Sequence, residues 1–208
     1  MELLGPVGKL EAIVTTPTDH PVAVAIICHP HPLQEGTMHN KVVTTLAKAY
    51  DLCGAVTLRF NFRGVGASDG VFDDARGECD DLRAVIQWAQ AHYPGLPIWL
   101  AGFSFGSYVA ARVAYDDGIA QSLISVAPPV GKDACYDFSS LSAMHQPWLV
   151  IQGDQDEIVS FEQVVAWWHA RECLAAHQEF KVIPDTGHFF HRRLIELRTI
   201  VMDWIKAL

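Results

Sequence analysis

A chain of 208 residues, 50% hydrophobic and 19% charged, can bury a substantial core and is expected to form a single domain over 1–208. Lys and Arg number 15 against 24 Asp and Glu, a formal charge of -9, and the basic residues form no long stripe. Nucleic acid and anionic membranes are therefore poor candidates as partners.

The first residues, Met1-Glu2-Leu3-Leu4-Gly5-Pro6, carry neither a basic region nor a long apolar run, and no later stretch reaches membrane-spanning length. Cys28, Cys53, Cys79, Cys135 and Cys173 are odd in number and never arranged as CxxC. They read as reduced thiols, so the expected location is the cytoplasm, with no membrane insertion.

In chain order, residues 9–16 predict a peripheral strand, and Pro17-Thr18-Asp19-His20-Pro21 a turn or hairpin leading into the first buried strand. Apolar runs at 22–28, 55–62, 97–103, 122–127, 148–152 and 180–183 are nearly continuous rather than alternating, as strands covered on both faces of a parallel sheet require. Helical spacing separates them. Residues 40–52 carry Val43, Leu46, Ala47 and Tyr50, and 78–91 carry Leu82, Val85, Ile86 and Ala89 behind acidic Asp80 and Asp81. Another helix is expected from near Ser160, and Phe190, Leu194, Leu197, Val201, Trp204 and Leu208 predict a long amphipathic closing helix. The stretch 128–146 has no clear element and is too short for a helical lid, leaving at most a small flap from residues 134–138 and Met144.

Gly102-Phe103-Ser104-Phe105-Gly106 follows an apolar run and precedes a helix, the strand-turn-helix context of a nucleophile elbow, which makes Ser104 the candidate nucleophile. A serine hydroxyl needs a base to take its proton and a carboxylate to orient that base. Asp156 lies on the loop after the run at 148–152, where it competes with Asp154, and His188 lies on the loop before the closing helix, with His191 as the alternative. Both loops are expected at the carboxyl edge of the sheet, where open α/β sheets bind ligands. Ser104, Asp156 and His188 also occur in the chain order of an α/β-hydrolase triad.

An oxyanion hole needs two N–H groups, one from Phe105 and one from His29-Pro30-His31-Pro32-Leu33, where proline supplies none. His31 is the expected donor, with Leu33 second. His29 and His31 lack the companions of a metal site, and the glycine-rich turn at 61–68 lacks nucleotide-binding spacing. That turn is expected to be held by Arg63. No metal and no cofactor are expected, and Leu33, Tyr136, Phe138, Met144 and Phe189 are candidates for an apolar acyl pocket.

CHPHPLQEGTMHNKVV at 28–43, LRFNFRGVGASDG at 58–70, GECDD at 77–81, AGFSFG at 101–106, GDQDEIV at 153–159 and GHFFH at 187–191 span most of the chain. In combination they resemble small, lidless bacterial serine hydrolases and esterases of the α/β-hydrolase superfamily. The resemblance implies a mostly parallel central sheet with helices on both faces and no large lid domain. It also implies Ser104 as nucleophile, Asp156 as acid and His188 as base. Glu35 departs from the family pattern, which has two glycines before Thr37, and a carboxylate there disfavours anionic substrates if it faces the site. The expected activity is hydrolysis of a small ester through an acyl-enzyme. A thioesterase or lactone hydrolase uses the same groups, and a catalytically idle scaffold is the alternative of another class.

Overall fold

The computed structural model describes residues 1–17, 20–131, 136–141, 143–171 and 176–208. Its strands are β1 (Glu2–Gly5), β2 (Gly8–Thr15), β3 (Val24–Cys28), β4 (Val56–Phe60), β5 (Ile98–Phe103), β6 (Ala120–Val126), β7 (Trp148–Gly153) and β8 (Gln178–Ile183). Helices α1 (Lys41–Leu52), α2 (Arg76–His92), α3 (Phe105–Asp117), α4 (Phe161–Ala170) and α5 (Leu194–Ala207) alternate with them. Eight strands form one sheet in the order β1-β2-β4-β3-β5-β6-β7-β8. From β4 through β8 the pairings are parallel, while the β1–β2 hairpin adds to β4 antiparallel.

The continuous apolar runs have a direct cause, because successive side chains of a strand point to opposite faces and here both faces are covered. Val24, Ile26 and Cys28 of β3 join a core with residues of α2, α3 and α4, whereas Ala25 and Ile27 join a second core with residues of α1 and α5. β7 divides the same way, with Trp148 and Val150 on the first face and Leu149 and Ile151 on the second. Strand β3 sits between β4 and β5, so the chain leaves it in one direction and then returns past it. That reversal opens a crevice at the carboxyl ends of β3 and β5.

Beyond shifts of a residue or two at strand ends, three elements depart from the sequence expectation. Strand β1 was not anticipated; at four residues with one buried side chain, Leu3, it carries little pattern of its own and exists by pairing with β2. Helix α2 opens at Arg76, directly after Ala75 at φ 70°. Helix α5 opens at Leu194 rather than Phe190, because Phe190 and Arg192 take φ values of 53° and 65° that no right-handed helix accommodates. Between β6 and β7, the described residues hold a single short 3-10 turn, Ser139–Leu141, and no helical lid. Residues 134 and 135 of the anticipated flap lie outside the described residues, as do Cys135 and Cys173.

Candidate active site

Ser104 occupies the turn between β5 and α3 with φ 52° and ψ -123°, a backbone state that costs a non-glycine residue roughly 1–3 kcal/mol. The surroundings hold it there. Its N–H donates to Val126 O at 2.8 Å, and its carbonyl accepts from Ser107 N at 2.8 Å and Ser107 Oγ at 2.6 Å. The flanking glycines are required by close approach: a Cβ on Gly102 would lie 2.2 Å from Gly106 O, and one on Gly106 would lie 2.4 Å from His29 O. The GxSxG pattern thus records how tightly α3 is drawn against β5 and the end of β3.

His188, from the loop after β8, is almost fully buried and spans the gap to the other two candidates. Its Nδ1 lies 2.8 Å from Asp156 Oδ2, and its Nε2 lies 3.1 Å from Ser104 Oγ. Because an ionised carboxylate only accepts, we assign the ring proton to Nδ1, which leaves Nε2 to accept from the serine hydroxyl. The backbone N–H of His188 donates to Glu157 Oε2 at 3.1 Å. His191, the alternative base, lies beside Phe189 instead, with ring centroids 5.9 Å apart.

Four donors surround the Asp156 carboxylate. Oδ2 accepts from His188 and from Gln152 Nε2 at 2.8 Å, while Oδ1 accepts from the amides of Ile158 and Val159 at 2.9 and 2.8 Å. Burial raises the proton affinity of this group, but His188 and the two amides outweigh burial and hold the carboxyl below its ordinary range. Asp154 serves the adjoining turn, accepting from Thr186 N at 3.4 Å. Gln152 and Glu157 escaped the sequence reading. The one available signal for Gln152 was a polar residue closing the apolar run Trp148-Leu149-Val150-Ile151.

Across the cleft, the His-Pro-His-Pro segment is a scaffold. His29 is buried, its Nε2 accepting from Phe62 N at 3.0 Å while Nδ1 meets Pro30 O at 2.6 Å, an arrangement that puts its proton on Nδ1. Burial lowers its pKa to about 4, so the ring is neutral. With both nitrogens engaged, it has no lone pair for a metal. His31 packs on Phe72 and Phe105 at 4.9 and 5.1 Å between centroids. Its Nδ1 accepts from Leu33 N at 3.1 Å, which commits the Leu33 amide to its own turn and removes Leu33 as the second oxyanion candidate.

Ser104 and His188 open into a cleft of about 660 Å³. Its lining includes His31, Phe105, Tyr136 and Phe189, and among the described residues Glu35 and Glu157 are the carboxylates on its walls. Three expected pocket residues lie elsewhere. Leu33 is 67% exposed and outside the cleft lining, pointed outward by the 3-10 turn Pro32–Gln34. Phe138 and Met144, 2% and 0% exposed, belong to the core beneath, where Phe138 packs on Trp167 and Tyr108 at 5.1 and 5.4 Å. A second depression, of about 390 Å³, is lined by Arg83, Arg112 and Asp116, which already pair with one another.

The fold and the elbow define an α/β serine hydrolase, with no helical lid among the described residues. Residues 20–143 match the family described as serine aminopeptidase, S33, and the chain belongs to that family. It is similar to an α/β serine hydrolase homologue from Coxiella burnetii, at 52% identity and a TM-score of 0.91 over 98% of this chain and 95% of that one. XC6422 from Xanthomonas campestris, a member of the α/β serine hydrolases without a lid, shares 45% identity at a TM-score of 0.89, over 100% of this chain and 93% of that one. RP471, an uncharacterized protein of Rickettsia prowazekii, is 35% identical over 97% of this chain and 86% of its own length.

Proposed function

We propose that the protein hydrolyses small or short-chain carboxylic esters through an acyl-enzyme on Ser104. One observation carries the reading: a single imidazole, His188, stands within hydrogen-bond reach of both Ser104 Oγ and Asp156 Oδ2. In the first half-reaction, Oγ attacks the ester carbonyl as its proton passes to Nε2, and Asp156 stabilises the imidazolium without itself taking the proton. That proton then leaves with the alcohol, and a water activated by the same nitrogen releases the acid.

The developing oxyanion is assigned to the amides of Phe105 and His31. Phe105 N–H is the first amide of α3, so it has no acceptor within the helix and lies at the positive end of the helix dipole. Losing one such donor typically costs on the order of 10²–10³ in rate. The absence of a helical lid among the described residues and a cleft of about 660 Å³ favour short acyl chains over long lipids.

A fluorophosphonate probe on the purified protein tests the assignment. The wild type is expected to label and Ser104→Ala to remain unlabelled, whereas labelling of both, or of neither, overturns it. With p-nitrophenyl esters, kcat/KM is expected to fall as the acyl chain lengthens, and a strong preference for long chains rejects the open-site reading.

A further inference from the structure

Gln152 is the last side chain of β7 before Gly153, and it is fully buried. Its neighbours on the strand are apolar, and its Oε1 has no hydrogen-bond partner among the described residues. An unpartnered buried acceptor costs roughly 1–3 kcal/mol, so packing alone favours an aliphatic residue here. The other end of the amide has a specific task. Nε2 donates at 2.8 Å to Asp156 Oδ2, the same oxygen that faces His188 Nδ1. The amide cannot be reversed, because its oxygen would then oppose an ionised carboxylate.

We propose that Gln152 is a positioning residue of the hydrolytic site, fixing the Asp156 carboxylate and drawing charge from the oxygen that faces His188. The inference rests on the Ser104–His188–Asp156 assignment. The two backbone amides hold Oδ1 alone, so without Gln152 the bond to His188 itself is the one contact left to fix Oδ2, and the carboxylate is less firmly held in line with the imidazole. A second donor on Oδ2 also weakens the pull of Asp156 on the His188 proton. Hydrogen-bond partners of a carboxylate in this way orient and tune the imidazole that it serves. Among the described residues, the other titratable groups at the site are Glu157 at the His188 amide, Asp154 at Thr186 N, and Glu35, His31 and Tyr136 on the cleft walls. All of them remain in the variants below.

The test compares wild type with Gln152→Met, which keeps the volume without the donor, and Gln152→Asn, which keeps the amide but shortens its reach. Expected for both is a fall in kcat of roughly tenfold or more with KM within about threefold, since a hydrogen bond to a charged group is worth roughly that much. The acid limb of the kcat/KM profile is expected to move upward by several tenths of a pH unit, with thermal unfolding of Gln152→Met little changed. A purely structural role predicts the reverse: a lower unfolding temperature in both variants, with the limb of the remaining folded enzyme in place. Either that result or an unchanged kcat overturns the inference. Labelling of wild-type Ser104 by fluorophosphonate separates the two failures, because an unlabelled wild type rejects the hydrolase assignment, while a labelled wild type with unmoved variants rejects only the role of Gln152.

Discussion

At the scale of single residues, buried ionisable groups set how stability depends on pH. His29 has its pKa lowered to about 4 by burial, so between about 6.5 and 4 the unfolded chain takes up a proton that the folded protein refuses. Stability from this group is complete above the unfolded value and is lost as pH falls. The loss is on the order of 3 kcal/mol for a shift from 6.5 to about 4. Asp156, also held below its ordinary value, adds a further loss once pH drops through the carboxylate range. Urea unfolding midpoints taken from pH 7 to 4 are expected to fall in the wild type. His29→Phe starts lower at pH 7, having stranded the Phe62 amide, and declines less steeply; parallel curves reject this account.

At the scale of elements, the segment from β4 into α2 backs the turn that bears Ser104. Phe72 on this segment packs against both His31 and Phe105, at 4.9 and 5.8 Å between centroids. Its anchor is Arg63, whose Nη2 lies 2.8 Å from Asp81 Oδ1 on α2, while the Arg63 amide donates to Asp81 Oδ2 at 3.0 Å. Both side chains are buried, so removing one partner strands a charge. Asp81→Asn is expected to destabilise by about 3–5 kcal/mol in denaturant unfolding. Replacing the pair together, Arg63→Met with Asp81→Leu, should recover most of that loss. If the double variant is no better than the single one, stranded charge is not the cause.

At the scale of the whole molecule, charge and openness act together on substrate choice. The formal charge is -9, and among the described residues the cleft walls carry Glu35 and Glu157 with neither Lys nor Arg. An anionic ester therefore meets repulsion both at a distance and within the site. At low salt, p-nitrophenyl hemisuccinate is expected to show a kcat/KM about tenfold or more below that of p-nitrophenyl butyrate. The gap should narrow with ionic strength, as the screening length drops from about 30 Å at 0.01 M to about 10 Å at 0.1 M. Glu157→Gln, which keeps an acceptor for the His188 amide, should narrow it as well. Equal rates for the two esters at low salt would exclude electrostatic discrimination.

The parallel sheet, the elbow at Ser104 and the loops bearing Asp156 and His188 were all legible in the chain, because each depends on side chains close together in sequence. Apolar runs covered on both faces lose their alternation, and a helix drawn tightly onto a strand tolerates only glycine at its contacts. Tertiary structure decided what meets what. His188 reaches Asp156 across 32 positions and Ser104 across 84, and sheet order rather than local pattern brings them together. The same holds for the Leu33 amide spent on His31, for Phe138 and Met144 buried beneath the cleft, and for Gln152 turned toward a carboxylate on the next loop. In each case the preference of the side chain is common to many environments, and only the assembled surroundings select one.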